Sequence, residues 1–145
     1  MLKIYLDTCC FNRPYDDQTI IKNSLEAQAK LHIQSLIREG RLHLVTSYIL
    51  LYENSKNPFV MRKSAISDFV KQYSRLYISS DKAATIQERA ATIIKTGIKA
   101  KDALHVACAI EAGCRYLLST DSRLLTYKHE SICLLNPIDF VCMEV

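Results

Sequence analysis

Short apolar segments alternate with longer helical segments along this chain, and that alternation constrains its fold more than any other feature. The short segments are typical of buried strands, and they occupy residues 2–6, 42–46, 116–118 and 132–135. Strands that alternate with helices favour a parallel sheet covered by helices on both faces. We therefore expect a single domain over residues 1–145, an α/β fold built as a three-layer α/β/α sandwich with a central, mainly parallel sheet.

The first helix is predicted from apolar residues that recur every three or four positions. It is expected over residues 17–39, because its acidic start suits the positive end of a helix and Gly40 can end it. Its apolar face is expected to comprise Ile21, Leu25, Ala29, Ile33 and Leu36.

Later helices are expected over residues 48–55, 65–73, 80–96 and 99–112. Ser47 can cap the first of these. The segment 99–112 is apolar on most of its circumference, which is typical of a well-buried helix. Residues 75–79 fit either a short strand or a connector, and residues 121–127 fit either a short helix or a turn.

The bulk composition is that of an ordinary globular protein. The chain has 145 residues, 49% of them apolar and 23% charged, which suits one domain with one core. No apolar run approaches the ~18 residues of a membrane span, and the first residues lack the pattern of a signal peptide. We therefore expect a cytoplasmic protein that does not enter a membrane.

Charge and cysteine content restrict the function only loosely. A net charge of +4 and a pI of about 8.7 permit an anionic partner but do not require one. The six cysteines show none of the C-x-x-C spacing of a zinc or redox site, so we expect reduced thiols without a catalytic role. Cys9 and Cys10 are adjacent, and we expect one side chain to point inward and the other towards a pocket.

Four acidic residues follow apolar strands or lie within apolar helices, namely Asp7, Glu53, Asp102 and Asp121. In a parallel sheet, the strands that precede Asp7 and Asp121 end at one edge, where open sheets bind their ligands. Glu53 lies on the helix after the second strand and Asp102 in the first turn of its helix, so both can approach that edge. Two unit charges ~4 Å apart would repel by about 4 kcal/mol there, and a divalent cation would remove that cost.

Such a cluster suits Mg²⁺ or Mn²⁺, which prefer carboxylate and water ligands. We expect one or two ions; with two, one activates water and the other stabilises the leaving oxygen of a phosphodiester. Arg13, Lys99 and Lys101 lie close to the acidic motifs and are candidates to hold neighbouring phosphates. The pattern therefore predicts a metal-dependent enzyme.

Each acid also has an ordinary interpretation. An aspartate after a strand is often a turn residue or a helix cap, which applies to Asp7 and Asp121. Asp102 can simply favour the positive helix end, and Glu53 can be exposed to solvent. His105, three residues after Asp102, either touches substrate or metal or is a buried, hydrogen-bonded histidine. The joint placement of the four acids favours a metal site over these separate interpretations.

Several stretches resemble motifs of the PIN-domain family, close to its VapC-type toxins. They are residues 5–8 (YLDT), Glu53 on its helix, and residues 101–109 (KDALHVACA), 116–121 (YLLSTD) and 136–140 (NPIDF). Each motif is short, but together, in order and spacing, they span nearly the whole chain. Two features depart from the pattern: residues 9–14 (CCFNRP) differ from the commonest toxin sequence, and Ser119 stands where threonine is frequent.

The resemblance implies a parallel sheet between helices and an Mg²⁺- or Mn²⁺-dependent ribonuclease that leaves 5′-phosphate and 3′-hydroxyl ends. It assigns the family's acidic quartet to Asp7, Glu53, Asp102 and Asp121. Asp7 and Asp102 match the pair most often assigned as metal ligands, and Thr8 and Ser119 match hydroxyl positions that orient carboxylates. The residues expected to contact substrate are then Thr8, Arg13, Ser119, Lys99 and Lys101.

The expected partners are RNA, a cognate antitoxin implied by the resemblance, and a second copy of the chain. The apolar surface of the helix at residues 65–73 could serve that homodimer, but burial within the monomer explains it equally well.

Three rival functions are open. An aspartyl phosphatase also carries an aspartate after its first strand, but it needs a second one two residues on, where this chain has Cys9. A cysteine phosphatase needs an arginine six residues after its cysteine, whereas Arg13 follows Cys10 by three residues. A non-catalytic binding module, which keeps the acids for stability or for a basic partner, is the main alternative to the nuclease.

Overall fold

The centre of the molecule is a parallel sheet. Within residues 2–144, which the computed structural model describes, five strands form it: β1 (Lys3–Leu6), β2 (His43–Ser47), β3 (Ser74–Ile78), β4 (Tyr116–Leu118) and β5 (Cys133–Leu135). They lie in the order β3-β2-β1-β4-β5, and every neighbouring pair is parallel. The segment at residues 75–79, which fitted a strand or a connector, thus belongs to an edge strand.

Seven α-helices connect and cover the strands in the part of the chain that the structure describes. They are α1 (Thr8–Asn12), α2 (Ile21–Arg38), α3 (Tyr48–Ser55), α4 (Val60–Tyr73), α5 (Ala83–Ile94), α6 (Ala100–Glu111) and α7 (Pro137–Glu144). No helix among residues 2–144 combines the length and apolar character needed to cross a membrane.

Both faces of the sheet are covered, because successive side chains on a strand point in opposite directions. On β1, Ile4 and Leu6 pack into a core with α2, α4 and α7, whereas Tyr5 faces a second core built with α5 and α6. The α6 residues Ala103, Val106, Ala107, Cys108 and Ala109 have no exposed surface. The predicted α/β/α sandwich is therefore confirmed, and so is the deep burial of its most apolar helix.

Helix α2 begins four residues later than the sequence predicted. Asp17, expected in its first turn, instead accepts hydrogen bonds from the backbone N and the hydroxyl of Thr19, at 3.0 and 2.7 Å. Such a local turn competes with helix formation, and the helix starts only at Ile21. Its end is as predicted, since Gly40 adopts a φ of 76° that favours glycine.

The buried face of α2 also differs from the prediction. Ile21 and Leu25 are 76% and 48% exposed, whereas Glu26 and Lys30 are buried. The polar side chains turn inward because Glu26 meets Arg13 and Lys30 lies over aromatic rings. The rest of the predicted face is buried as expected, at Ala29, Ile33 and Leu36.

The helix predicted over residues 80–96 is shorter in the structure. A 3-10 turn covers Ser80–Lys82, and α5 follows it. Ser79 begins this turn because its hydroxyl accepts a hydrogen bond from Asp81 N at 3.3 Å. Residues 121–127, which fitted a short helix or a turn, contain the 3-10 turn Leu124–Thr126.

A buried ion pair ties α2 to the segment that follows α1. Glu26 has no exposed surface, and its Oε1 lies 3.0 Å from Arg13 Nε. Asn136, between β5 and α7, donates a hydrogen bond to Glu26 Oε2. The chain therefore joins α1, α2 and α7 through one carboxylate.

Substituting Glu26 with alanine is expected to destabilise the fold by about 3 kcal/mol, because the mostly buried Arg13 then loses its fully buried partner and keeps only the partly exposed Asp16 as a counter-charge. Urea unfolding measures the loss. Glu39→Ala removes an acid that is 57% exposed at the end of α2 and is the matched control, with an expected change of about 0.5 kcal/mol or less. Equal losses in the two variants would refute this account of the buried pair.

Candidate active site

The centre of the candidate site is Asp7, at the point where β1 ends and α1 begins. Its backbone N donates to Leu118 O of β4 at 3.0 Å, so the ends of these two neighbouring strands lie side by side. Asp7 caps α1: its Oδ1 accepts a hydrogen bond from Thr8 N at 2.7 Å. Ser119, just after β4, donates its hydroxyl to Asp7 Oδ2 at 3.0 Å. The carboxylate is thus buried and held from both sides.

Glu53 reaches the same place from α3. Ser47 starts this helix at the end of β2, because its hydroxyl accepts a hydrogen bond from Leu50 N at 3.2 Å. Glu53 Oε1 accepts a hydrogen bond from the Thr8 hydroxyl and lies 2.7 Å from His105 Nε2. Thr8 therefore links the two acids, since its backbone binds Asp7 and its side chain binds Glu53.

His105 is a buried member of the site. It is 1% exposed, and its Nε2 lies 3.7 Å from Asp7 Oδ1 as well as close to Glu53. Burial alone would lower the pKa of His105, but the hydrogen bond to Glu53 and the charges of Asp7, Glu53 and Asp102 raise it above its usual value. The imidazole therefore stabilises the negative charge gathered here.

The same contact affects Glu53. Burial raises the pKa of this carboxyl, but the hydrogen bonds from His105 and Thr8, the charge of His105 and that of Lys101 outweigh burial and leave the pKa below its usual value. Glu53 is therefore ionised, and Lys101 acts close enough to it to contribute. Lys101 itself is exposed on the first turn of α6.

Asp102, also in the first turn of α6, is half-buried at the rim. Its pKa is raised, first by burial and then by the charges of Asp7 and Asp121, with Glu53 adding to them and His105 opposing them. Asp7, Asp121 and Glu53 thus each act electrostatically on Asp102, although the group of ligand atoms that lie within reach of one another contains, among residues 2–144, only Asp7, Glu53 and His105. This mutual repulsion is the cost that a bound cation would offset.

Asp121 combines two roles in the loop after β4. Its Oδ1 accepts a hydrogen bond from Arg123 N at 3.0 Å, as in an ordinary capping turn. Its backbone N donates to Ser119 Oγ at 3.1 Å, so it also supports the serine that binds Asp7. The carboxylate keeps oxygen lone pairs free of these contacts, and its charge still reaches Asp102.

The predicted phosphate-binding cations differ in their surroundings. The guanidinium of Arg13 donates to Asp16, Asn23 and Thr120 at 2.9–3.0 Å and pairs with Glu26. It is thus occupied by partners within the chain, one of which follows Ser119 directly. Lys99 precedes α6 and is exposed, as Lys101 is. These two lysines are the predicted cations that remain available to a polyanion.

Sequence reasoning missed two members of the site, Tyr5 and Cys9. Tyr5 is fully buried on β1, and its hydroxyl lies 2.5 Å from His105 Nδ1 and 2.7 Å from Ser47 Oγ. Burial raises the pKa of Tyr5 well above its usual value, so the hydroxyl stays neutral and positions the imidazole. A tyrosine inside an apolar strand gives no sequence signal for this contact.

Cys9 lies against the other side of Asp7. Its Sγ is 3.4 Å from Asp7 Oδ2 and 3.5 Å from Ser119 Oγ, and it accepts a hydrogen bond from Thr120 N at 3.4 Å. Cys10 points into the core and is fully buried. The expected opposite orientation of the two cysteines is therefore confirmed, and all six cysteines are free thiols.

The donor set fits a divalent ion. One ligand atom each from Asp7, Glu53 and His105 lies within 4.8 Å of the other two. The carboxylate oxygens of Asp7 and Glu53 suit Mg²⁺ and Mn²⁺. Both nitrogens of His105 already contact Glu53 and Tyr5, so His105 can bind an ion only if one of these contacts is exchanged for the metal. The arrangement can therefore hold a hard cation at the carboxyl end of a parallel sheet.

Comparison with known proteins identifies one family model that matches the sequence and several solved structures with a similar fold. A family model described as PIN domain matches residues 4–130. In the crystal structure of VapBC2 from Rickettsia felis bound to a DNA fragment from their promoter, one chain is 18% identical with a TM-score of 0.57, covering 93% of this chain and 98% of that chain.

Two further solved structures share the fold. A chain of FitAcB from Neisseria gonorrhoeae is 20% identical with a TM-score of 0.56, covering 92% of this chain and 97% of that chain. A chain of FitAB bound to an IR36 DNA fragment is 20% identical with a TM-score of 0.58, and the match covers 93% of this chain and 95% of that chain. No curated protein matches the sequence.

Proposed function

This chain belongs to the PIN domain family, and on that premise we propose that it is a divalent-metal-dependent endoribonuclease that hydrolyses RNA phosphodiester bonds. PIN domains are generally nucleases. The observation that carries the proposal is the convergence of Asp7, Glu53 and His105 within 4.8 Å, at the sheet edge where α/β folds bind their ligands. Asp102 lies outside this group of three, but Asp7, Glu53 and Asp121 all raise its pKa, which supports including it in the proposed site.

In this proposal the acids share the work of holding Mg²⁺ or Mn²⁺. Asp7 and Asp102 bind the metal directly, and Glu53 and Asp121 complete the site. A bound ion supplies Lewis-acid stabilisation for the charge that develops at phosphorus. One or two ions are compatible with four carboxylates.

Other side chains keep the acids in position. Ser119 and Thr8 hold Asp7 through its two carboxylate oxygens, and Thr8 and His105 hold Glu53. Such outer partners fix the direction in which a metal ligand points. Lys99 and Lys101, exposed beside the rim, bind the phosphates that flank the scissile bond.

We also infer that the protein acts as the toxin of a toxin–antitoxin pair and that an antitoxin binds it. The support comes from the likeness to chains of the VapBC2 and FitAB complexes. Coexpression with the product of any adjacent gene tests this, since a cognate antitoxin would copurify with the protein and suppress RNA cleavage. A homodimer stays a prediction.

A binding module without activity is the second candidate. It is favoured by the contacts of Glu53, whose Oε1 already takes hydrogen bonds from both Thr8 and His105. In such a protein the acids would contribute to stability, no RNA would be cleaved with or without a divalent ion, and the ion would not change the melting temperature.

The direct test uses an RNA oligonucleotide labelled at either end and incubated with the protein in Mg²⁺, in Mn²⁺ or in EDTA. We expect cleavage with either ion and none in EDTA, with products that carry 5′-phosphate and 3′-hydroxyl ends. Cleavage that persists in EDTA, or turnover of small phosphate esters without RNA cleavage, would overturn the assignment.

A further inference from the structure

A recess on the α2 and α4 side of the sheet contains a buried lysine that the proposed nuclease does not use. The recess has a volume of about 280 Å³ and lies between α2, α4 and the segment after α1. Its wall includes Phe11 and Phe69, and Tyr15 and Leu31, which are 46% and 50% exposed, lie at its rim. Lys30, at its base, is only 4% exposed.

The ammonium of Lys30 faces rings rather than an acid. Its Nζ lies 5.1 Å from the ring centre of Phe11 and 5.7 Å from that of Phe69. Arg38, two turns further along α2, lies 5.6 Å from the same Phe69 ring and also lines the recess. Among residues 2–144, the charged or titratable groups that act on Lys30 are Cys10 and Arg38, neither of them a carboxylate.

A buried cation without an anion is unusual, because taking a charge out of water is costly and lysines are rarely buried unless paired. The cation–π contacts offset part of that cost. A methionine at this position would fill a similar volume without carrying a charge. Lys30 therefore places a buried positive charge, without a carboxylate partner among residues 2–144, next to a cavity large enough for a small organic group.

We propose that this recess binds a carboxylate carried on an apolar or aromatic body, with the carboxylate on Lys30 and Arg38 and the body against Phe11 and Phe69. The carboxylate can belong to a free organic acid or to an acidic side chain of another protein, since both present the same chemistry. The proposal does not depend on the nuclease activity, because no residue of the recess belongs to the acidic site.

An RNA phosphodiester fits the recess less well. Each internal phosphate carries a sugar on both sides, so it cannot enter the recess end-on as a terminal carboxylate can. A terminal phosphate could enter, but its second negative charge adds to the desolvation cost that a single buried lysine must offset. A carboxylate brings one charge at the end of an apolar chain, which matches the recess.

The cost of burying Lys30 can be measured separately. Burial, reinforced by Arg38 and opposed by Cys10, lowers the pKa of Lys30 to about 8, against an ordinary value of 10.5. Between about pH 8 and pH 10.5 the unfolded chain binds more protons than the folded chain does. The contribution of Lys30 to the free energy of unfolding therefore rises with pH across that window. Lys30→Met is expected to raise the melting temperature by about 3 °C at pH 7, and the gain should shrink between pH 8 and 10. A gain that is constant with pH, or a loss at pH 7, would contradict the burial of an unpaired charge.

The binding test follows amide shifts of the protein by NMR while 3-phenylpropionate is added. We expect the amide signals of recess residues to shift, with a dissociation constant in the millimolar range. The neutral 3-phenylpropionamide should bind at least fivefold more weakly than the acid. In Lys30→Met the acid and the amide should bind equally well. Arg38→Gln, a second variant that keeps Lys30, should weaken the acid without affecting the amide.

Two further binding measurements identify the source of the carboxylate and distinguish a carboxylate from a phosphate as the ligand. A capped peptide, acetyl-Leu-Glu-Phe-amide, that binds more tightly than 3-phenylpropionate would assign the site to a protein partner, and weaker binding would assign it to a free acid. The proposal is overturned if the amide binds as well as the acid, if Lys30→Met binds the acid as well as the parent does, or if phenyl phosphate binds more tightly than 3-phenylpropionate.

Discussion

Replacing Asp7 with asparagine is expected to lower the rate of RNA cleavage by about a hundredfold or more while the fold survives. Stabilisation of transition-state charge by a bound ion contributes several kcal/mol, and each ~1.4 kcal/mol is a factor of ten in rate. Asp7 lies between Glu53, His105 and Ser119, so no other acid can take its place without moving the end of β1.

The fold should tolerate this change because asparagine keeps the shape and most contacts of the aspartate. Its amide oxygen still accepts the hydrogen bond from Thr8 N, and its amide NH₂ can donate to Ser119 Oγ, whose hydroxyl now becomes the acceptor. We therefore expect a change in unfolding free energy of about 1 kcal/mol or less. A normal unfolding free energy in Asp7→Asn would therefore show that its lower cleavage rate does not result from unfolding.

The measurement compares initial rates on one RNA at saturating Mg²⁺, with urea unfolding of the same preparations. Asp68→Asn makes the same chemical change at an exposed site on α4 and should cleave at the parental rate. Full cleavage by Asp7→Asn would refute its assignment as a metal ligand, and equal losses in the two variants would indicate a general effect of charge.

Four of the five strands could be predicted from the sequence because they are apolar and end at recognisable breaks, whereas β3, which is mostly exposed, could not be distinguished from a connector. The resemblance to the PIN-domain family, stated from the same stretches, is also confirmed. The start of α2 could not be predicted, since the hydrogen bonds between Asp17 and Thr19 compete with helix formation in a way that composition does not reveal. The burial of Glu26 and Lys30 was missed for a related reason: charged residues on a helix are normally exposed.

The candidate site was predictable to the extent that it follows from topology. Asp7 and Ser119 come after parallel strands, so their contact follows from the sheet. The contacts of His105 with Tyr5 and Glu53 cross three separate elements and depend on side-chain direction. No spacing in the sequence encodes them. The metal-binding roles of the acids stay predictions, which binding measurements must test.

Millimolar Mn²⁺ is expected to raise the melting temperature of the EDTA-treated protein by about 5–10 °C. An ion that binds only the folded chain stabilises it by RT ln(1 + [ion]/Kd), which is about 2.7 kcal/mol at a hundred times Kd. For a domain of this size, each 1 kcal/mol corresponds to roughly 2–4 °C. The physical source of the binding is the repulsion that Asp102 experiences from Asp7, Asp121 and Glu53, which adds to burial in raising the pKa of Asp102.

Scanning calorimetry in Mn²⁺, in Mg²⁺ and in NaCl of matched ionic strength separates specific binding from general screening. Asp7→Asn and Asp102→Asn should each lose most of the shift, whereas Lys30→Met should keep it, because Lys30 lies on the other side of the sheet from His105 and α6. No shift in the parent at millimolar Mn²⁺ would favour the binding module. A full shift in both aspartate variants would mean that the ion binds elsewhere, because carboxylates that do not approach the ion cannot control its affinity.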